Sequence, residues 1–223
     1  MATRARRRLR FVLTFAALFA LLWFFWDAPP VYPLKIFVVL LHEISHAAMA
    51  LATGGSVLRI ELDPGQGGAC HCPGGNAFLT LSAGYLGSLA WGGAMFTAAH
   101  SRRVRSDRVN FWIGVLMFVL TAVYVRGLFG FAFGILFALA LIGIAQRLGP
   151  AVNRGVLLGL GLTSALYAVL DIKSDVLDRP WLLSDAAMLA EITGVPTVFW
   201  GVLWIGAALA TSAWLVHRAY RTA

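Results

Sequence analysis

Long apolar stretches limit what this chain can fold into more than any other feature of its sequence. Runs of about 17–20 mainly apolar residues recur along it, each long enough to cross a hydrocarbon core of roughly 30 Å. Hydrophobic residues make up 60% of the 223 residues and charged residues only 13%, which separates the chain from soluble globular proteins. The sequence therefore predicts an all-α polytopic membrane protein, with the lipid bilayer as its environment.

The apolar segments predict about six to seven helices in two units. Residues 1–33 form a basic N terminus and a first transmembrane span, and residues 34–223 form the rest. The aromatic end of the first span and the absence of a small-residue cleavage site favour a retained helix over a signal peptide. The predicted apolar segments are 11–26, 34–53, 83–99, 109–125, 128–145, 155–170 and 197–216.

Basic residues cluster at the ends of the apolar segments. Five arginines precede the first span, and others lie in residues 101–108, in residues 147–154 and in the C-terminal tail. Such clusters orient membrane helices by staying on the cytoplasmic side, where they face anionic lipid. The net charge of +8 is therefore explained without a nucleic-acid partner. We predict a multi-pass protein of the bacterial cell membrane with a cytoplasmic N terminus.

Residues 54–82 differ from the apolar segments because they are rich in glycine. Residues 57–62 alternate between apolar and polar as a short strand does, and a second strand at 77–81 would complete a hairpin. If all basic loops are cytoplasmic, residues 34–82 must enter and leave the membrane from the outer side. This predicts a partly penetrating helix followed by a re-entrant, β-hairpin-like loop. In the alternative, residues 34–53 cross fully and the basic loop 101–108 lies outside.

The apolar segment 34–53 carries ionisable residues that are costly in a membrane, in the run LLHEISHAAMALATGG. His42 and His46 are four positions apart, about 40° apart on one helix face, so both can bind one metal ion. Glu43 is turned by about 100° from His42 and can act on a water molecule without being a ligand. The H-E-x-x-H pattern therefore predicts a zinc site with two histidine ligands and Glu43 as catalytic base.

A zinc site of this kind needs a third protein ligand. Asp171 and Asp175 follow the apolar segment 155–170, and a carboxylate from either would complete the site. Asp171 is preferred because it directly follows the apolar segment. Asp185 is interpreted together with Ser184 as the N-cap of a helix. The less suitable candidates are His71, His100 and His217.

Cys70-His71-Cys72 lies in the glycine-rich segment. Two cysteines separated by one residue bond to each other with difficulty, so we expect no disulfide here. A second metal site would need ligands from elsewhere, and a single C-x-C is weak evidence for one. The tripeptide therefore predicts a flexible loop.

Three blocks of the sequence resemble the M50B-like peptidase family, which is related to the site-2 intramembrane zinc proteases. The resemblance extends from about Phe37 to Ala207 and leaves the first span outside. It implies zinc ligands at His42 and His46 and a catalytic base at Glu43. The three blocks are HEISHAAMALATGGSVLRIEL, GGNAFLTLSAGYLGSLAWGGAMF and SDAAMLAEITGVPTVFWGVLW.

The resemblance also bears on the third ligand. In site-2 proteases this ligand is an aspartate in an L-D-G context on a later helix. Leu170-Asp171 matches the first two letters, whereas Ile172 replaces the glycine. Asp171 and Asp175 therefore both remain candidates.

Together these features predict an intramembrane zinc metalloprotease of site-2 type that cleaves a membrane-associated protein with metal-activated water. The predicted hairpin would present a strand edge to an extended substrate. Asn76, or backbone N–H groups of the same loop, would stabilise the oxyanion. The alternative is a non-proteolytic membrane protein with a structural or regulatory metal site. A transporter is disfavoured because there are no paired broken helices and no repeat. The sequence gives no indication of an oligomeric state.

Overall fold

Eight helices and three short strands make up the part of the chain that the computed structural model describes, residues 2–26, 28–173, 176 and 183–222. The helices are α1 (Ala2–Phe24), α2 (Tyr32–Ala52), α3 (Ala77–His100), α4 (Ser106–Tyr124), α5 (Leu128–Arg147), α6 (Pro150–Ile172), α7 (Asp185–Thr193) and α8 (Thr197–Thr222). The strands are β1 (Arg59–Leu62), β2 (Gly68–His71) and β3 (Val125–Arg126).

Five of the described helices, α2, α4, α5, α6 and α8, are long and apolar enough to cross a membrane. Helix α3 is long enough, with 24 residues, but glycine, serine and threonine lower its mean hydropathy. The prediction of a helical, multi-pass membrane protein with a small β element is confirmed. The division into residues 1–33 and 34–223 stays a prediction.

Helix α2 is the most enclosed of the five membrane-capable helices. Of its apolar segment 78% is buried, against 56% or less in the other four, as expected for a helix surrounded by protein. Phe37 stacks on Phe137 of α5 with ring centroids 5.1 Å apart. The H-E-x-x-H residues are therefore carried by the helix that is best shielded from lipid.

Helix α3 runs antiparallel to α2. The Asn76 N–H donates to the Thr53 hydroxyl at one end of the pair, and Gly87 lies beside Ser45 further along. With 21 residues, α2 is about 30 Å long. This length is enough to cross the hydrocarbon core. The predicted partly penetrating helix and the alternative in which residues 34–53 cross fully both stay predictions.

The basic loops lie at one end of the bundle. The Asn110 amide at the start of α4 donates to the backbone and side-chain oxygens of Asn153 at the start of α6, at 3.0 and 2.9 Å. Leu215, near the end of α8, lies beside Gly93 in the second half of α3. This grouping agrees with basic loops that share one side of the membrane. The cytoplasmic location of the N terminus stays a prediction.

Strand β1 is the middle strand of a sheet with the order β2-β1-β3. It pairs antiparallel with β2, where Glu61 lies opposite Ala69, and parallel with β3, where Ile60 lies opposite Val125. The predicted strand at 57–62 is confirmed over residues 59–62. The predicted second strand at 77–81 is wrong, because these residues begin α3.

Local chemistry explains this error. Asn76 is the N-cap of α3, since its side-chain oxygen accepts the Leu79 N–H at 3.0 Å and such a cap starts a helix. The true partner strand has the sequence GACH, and glycine and alanine have low strand propensity. It is a strand because it pairs with β1. The turn that joins the two strands contains Gln66, which has a φ of 72°.

Helices α3 and α6 meet at two glycines. A Cβ at Gly161 would lie 2.9 Å from the Phe96 backbone nitrogen and 3.0 Å from the Gly92 carbonyl oxygen. Small residues allow membrane helices to pack at this close range. The contact brings the two helices together next to the site described below.

Gly161→Ala should lower the free energy of unfolding by about 1–3 kcal/mol, because the added methyl group forces α3 and α6 apart. Gly159→Ala on the same helix is the matched control, since nothing lies within 4 Å of a Cβ there. It should be neutral or slightly stabilising. Thermal unfolding in detergent measures the difference, and equal Tm values for the two variants would contradict the packing argument.

Candidate metal centre

His42 and His46 lie one turn apart on one face of α2, with ring centroids 4.6 Å apart. His46 Nδ1 lies 2.7 Å from the Thr80 carbonyl oxygen. Because a carbonyl only accepts, Nδ1 carries the proton and Nε2 keeps its lone pair. His42 packs edge-on against the Tyr85 ring, with centroids 4.9 Å apart. Helix α3 thus orients both imidazoles, as neighbouring groups do for metal-binding histidines.

A carboxylate from α7 meets both imidazoles. Asp185 Oδ2 lies 3.0 Å from His42 Nε2 and 3.2 Å from His46 Nε2. The Ser184 hydroxyl caps α7 by accepting the Ala187 N–H at 3.3 Å. The capping role that we assigned to the Ser184–Asp185 pair therefore belongs to Ser184, and the Asp185 side chain is directed to α2.

The donor atoms suit a zinc ion. One ligand atom from each of His42, His46 and Asp185 lies within 4.8 Å of the others, and all three residues are buried or nearly so. Ligands of a tetrahedral zinc ion with bonds of about 2.0–2.1 Å are about 3.3 Å apart. The distances of 3.0 and 3.2 Å are close to this spacing. Two imidazole nitrogens and one carboxylate oxygen also form a donor set that zinc uses in catalytic sites.

Asp185 is stabilised as an anion by its neighbours. Burial opposes its charge, but His46 and His42, when their imidazoles are protonated, more than offset this by charge and hydrogen bonds, so the pKa of the Asp185 carboxyl then lies well below its usual range. The ionised carboxylate is the form that binds a cation.

Glu43 is held by the sheet rather than by the other three residues. Strand β2 passes directly beside its carboxylate. A Cβ at position 68 would lie 2.6 Å from Glu43 Oε1, so Gly68 allows the strand to come this close. The predicted catalytic base therefore has its position set by β2.

Strand β2 is an edge strand of the sheet, and it lies beside this carboxylate. The Asp63 N–H donates to the Gly67 carbonyl at 2.8 Å. This hydrogen bond shows which residues of the antiparallel pair direct their peptide groups toward the neighbouring strand. Ala69 and His71 then turn their peptide groups toward β1, whereas Gly68 and Cys70 turn theirs toward the open edge. The peptide groups of Gly68 and Cys70 thus form a row that β1 does not use.

A cavity of about 960 Å³ contains the site. Its walls come from α2, the β1–β2 hairpin, the start of α3, the end of α6 and α7. Residues Gly65 to Cys70, which form the turn before β2 and the first three residues of that strand, line one side. The volume lies at the upper end of the range for ligand pockets and has room for an extended stretch of polypeptide.

The structure brings Asp185, and not the preferred Asp171, to the two histidines. Asp171 lines the same cavity at the end of α6 but lies outside the three-residue cluster. The preference for Asp171 depended on its place after an apolar segment and on a two-letter match to L-D-G. Asp175 lies outside the described residues. The signal that could have identified Asp185 was its place in the block SDAAMLAEITGVPTVFWGVLW, on which the family resemblance partly depended.

The other candidates lie away from the cluster. Asn76 caps α3 and does not line the cavity. His71 Nε2 lies 3.2 Å from Glu61 Oε2 on the sheet. His100 Nδ1 donates to the Phe96 carbonyl, and His217 lies in the last turns of α8.

Cys70 and Cys72 are joined by a disulfide, so the expectation of a flexible loop without one is wrong. Their Cα atoms are 5.4 Å apart, within the range of about 4.4–6.8 Å that a disulfide requires. Alternate residues of an extended strand are about 6.6 Å apart. The contraction where β2 ends therefore brings the two cysteines within reach of each other.

Comparison with known protein families identifies the class to which the chain belongs. The fold and the family comparison define a membrane protein of the peptidase class. Residues 14–215 match the family described as Peptidase M50B-like, and the chain belongs to that family. The match begins within α1, so it includes part of the span that the predicted resemblance left outside. No curated protein and no solved structure matches the chain significantly.

Gly84 of α3 leaves open the space where the ligand atoms converge. A Cβ at this position would lie 2.5 Å from His46 Nε2 and still closer to His42 Nε2. Any side chain here would displace the imidazoles or occupy the position of the metal.

Gly84→Ala should therefore lower zinc affinity by about tenfold or more, the scale seen when residues around a metal site are changed. Gly93→Ala on the same helix is the matched control, because its nearest neighbour is the flexible end of Leu215 at 3.1 Å. Zinc titration of both purified variants, with circular dichroism as a check of folding, measures the effect. Equal affinities would show that the cluster does not bind the ion at this point.

Proposed function

We propose that this protein is an intramembrane zinc metalloprotease of site-2 type. In this proposal His42, His46 and Asp185 bind the zinc ion and Glu43 is the catalytic base. The observation that carries the proposal is the convergence of three donor atoms from α2 and α7 in a cavity that Glu43 also lines. The peptidase family supports it. Asp171 is then a second carboxylate of the cavity rather than a ligand.

The chemistry follows from the positions of these groups. Zinc, when bound, polarises a water molecule and lowers its pKa toward about 7. Glu43 accepts the proton of the attacking water and delivers it to the leaving amine. Strand β2 packs beside the Glu43 carboxylate at Gly68, and the surrounding protein keeps the site out of lipid.

A membrane-associated polypeptide is the proposed substrate. An extended segment can pair with the open edge of β2, where Gly68 and the Cys70 carbonyl supply backbone groups. The substrate backbone would then run past Glu43 along the wall of the cavity.

The oxyanion role of Asn76 has less support, because its side-chain oxygen caps α3. Backbone N–H groups of the hairpin, the other candidates from the sequence, are better placed. Gly67 and Gly68 line the cavity directly, and peptide N–H groups are common donors to an oxyanion.

Glu43→Gln should lower the rate of cleavage by roughly 10²–10⁴-fold, because an amide keeps the size of the side chain but cannot take up a proton. Zinc content and Tm should stay close to those of the wild type. Cleavage of a reporter transmembrane protein in proteoliposomes measures the rate. Asp107→Asn is the control, since Asp107 pairs with Arg105 in an exposed position outside the cavity. Full activity of Glu43→Gln would end the protease proposal.

Asp185→Ala should lose bound zinc, and Asp171→Ala should retain it, because Asp185 lies 3.0 and 3.2 Å from the two imidazoles and Asp171 is outside the three-residue cluster. Elemental analysis of the purified variants distinguishes the two carboxylates. The reverse result would restore Asp171 as the ligand. If the wild type retains zinc and cleaves no reporter, the non-proteolytic alternative with a structural or regulatory metal site is supported instead.

A further inference from the structure

A second cavity, of about 510 Å³, lies between α3 and α8 at the end of the bundle where the basic loops lie. Its walls come from residues 89–98 of α3, from Ser101 and Val104 just beyond that helix, and from residues 211–215 of α8. None of the residues that line it is charged, and none of them lines the cavity of the metal centre. This α3–α8 groove is therefore separate from the candidate metal centre.

Short side chains on one face of α3 create the groove. They recur at the spacing of a single helix face, at Ala90, Gly93, Ala94, Thr97 and Ala98. Trp214 and Leu215 of α8 form the facing wall. Ala90, Ala94 and Thr97 are exposed, and Trp214 is 55% exposed. The groove therefore opens on the outer surface of the bundle, where a membrane helix meets lipid.

The length of the groove matches one leaflet of a bilayer. It follows α3 from Leu89 to Ser101, a distance of about 18 Å at the rise of an α-helix. The hydrocarbon core is roughly 30 Å thick, so one leaflet accounts for about 15 Å. A transmembrane helix crosses both leaflets and needs about twice the length of the groove. An acyl chain of a single leaflet therefore fits the groove better than a helix does.

Arginines lie at the end of the groove that is nearest the loop 101–108. Arg102 and Arg103 are exposed and lie between two residues of the groove wall. The Arg218 guanidinium lies over the ring of Trp214, 5.4 Å from its centroid. Arg218 is one helical turn beyond this wall residue, so α8 and the loop both bring positive charge to the same end.

This combination of an apolar groove and a basic end matches the chemistry of an anionic phospholipid. Guanidinium groups bind phosphate oxygens in a bidentate geometry, and tryptophan is enriched where hydrocarbon meets headgroups. Asp107 is the acidic residue of the loop 101–108, and it pairs with Arg105 at 2.6 Å. The loop therefore keeps a positive net charge. Basic pockets between membrane helices on the cytoplasmic side bind anionic headgroups, and this is the side predicted for the basic loops.

We propose that the α3–α8 groove binds one anionic phospholipid from the leaflet on the predicted cytoplasmic side. One acyl chain lies along the short side chains of α3. The phosphate group is bound by Arg102, Arg103 and Arg218, and Trp214 lies where the chain meets the headgroup. This site does not depend on the proposed function, because none of its residues lines the cavity of the metal centre.

The test measures lipid binding by native mass spectrometry of the delipidated, full-length protein in detergent. The probes are phosphatidylglycerol, phosphatidylcholine with the same acyl chains, and inorganic phosphate. Arg102→Gln/Arg218→Gln removes two positive charges from the end of the groove. The matched control is Arg147→Gln/Arg154→Gln, which removes two exposed arginines from a loop predicted to lie on the same side of the membrane.

A second pair of variants tests the apolar part of the groove. Ala94→Phe places a ring in the space assigned to the acyl chain. Ala213→Phe is its matched control, because Ala213 is exposed on α8 and lies outside the groove. Circular dichroism checks that all variants are folded.

The wild type should bind one phosphatidylglycerol about tenfold more tightly than phosphatidylcholine. Arg102→Gln/Arg218→Gln should weaken the binding of phosphatidylglycerol by about 25-fold, since each arginine near an anionic headgroup contributes about fivefold. Ala94→Phe should weaken the binding of both lipids by about tenfold, because the ring and the chain compete for the same space. Both control variants should bind as the wild type does, and inorganic phosphate should not displace the lipid.

Four results would contradict the proposal. Equal affinity of the wild type for the two lipids, or an equal loss in the two arginine double variants, overturns the headgroup site. Unchanged binding by folded Ala94→Phe overturns the groove as the place of the acyl chain. Displacement by inorganic phosphate shows a simple anion site instead of a lipid site. Displacement of the lipid by an equimolar amount of the reporter transmembrane protein assigns the groove to a helix.

Discussion

The contact of Asp185 with His42 and His46 is the interaction on which the rest of the site depends. It joins side chains 143 positions apart in the chain, and it concentrates ionisable groups within a largely apolar bundle. Groups of this kind are costly when buried unless they pair with one another or bind an ion. Helix α3 supports the contact through Thr80 and Tyr85, so three helices converge at one point.

Two glycines determine how closely the backbone of neighbouring elements approaches this site. Gly84 keeps a helix close to the imidazoles, and Gly68 keeps a strand close to Glu43. Each lies where a methyl group would meet a functional atom. The site is therefore defined by close backbone approach from two directions as well as by its ionisable side chains. Protein interiors are tightly packed, so neighbouring groups cannot readily move aside to make room for a larger side chain at either glycine.

The sequence predicts those features that are local. Helical spacing places His42, Glu43 and His46, and runs of apolar residues predict the membrane helices. It does not predict features that depend on distant contacts. Asp185 has the pattern of a helix start, and only the packing of α7 against α3 and α8 brings it to α2. Strand β2 is composed of weak strand formers and depends on β1 for its conformation. The cysteine pair depends on a bend at the strand end that residue spacing does not reveal.

The open edge of β2 has a consequence for how a target would be selected. Main-chain groups are the same in every amino acid, so recognition through them discriminates little between side chains. It does require that the target give up its own helical hydrogen bonds first. An enzyme built in this way would favour segments that unwind easily, such as those with glycine or proline, over a fixed consensus. Its choice of bond would then be set by the stability of the target helix.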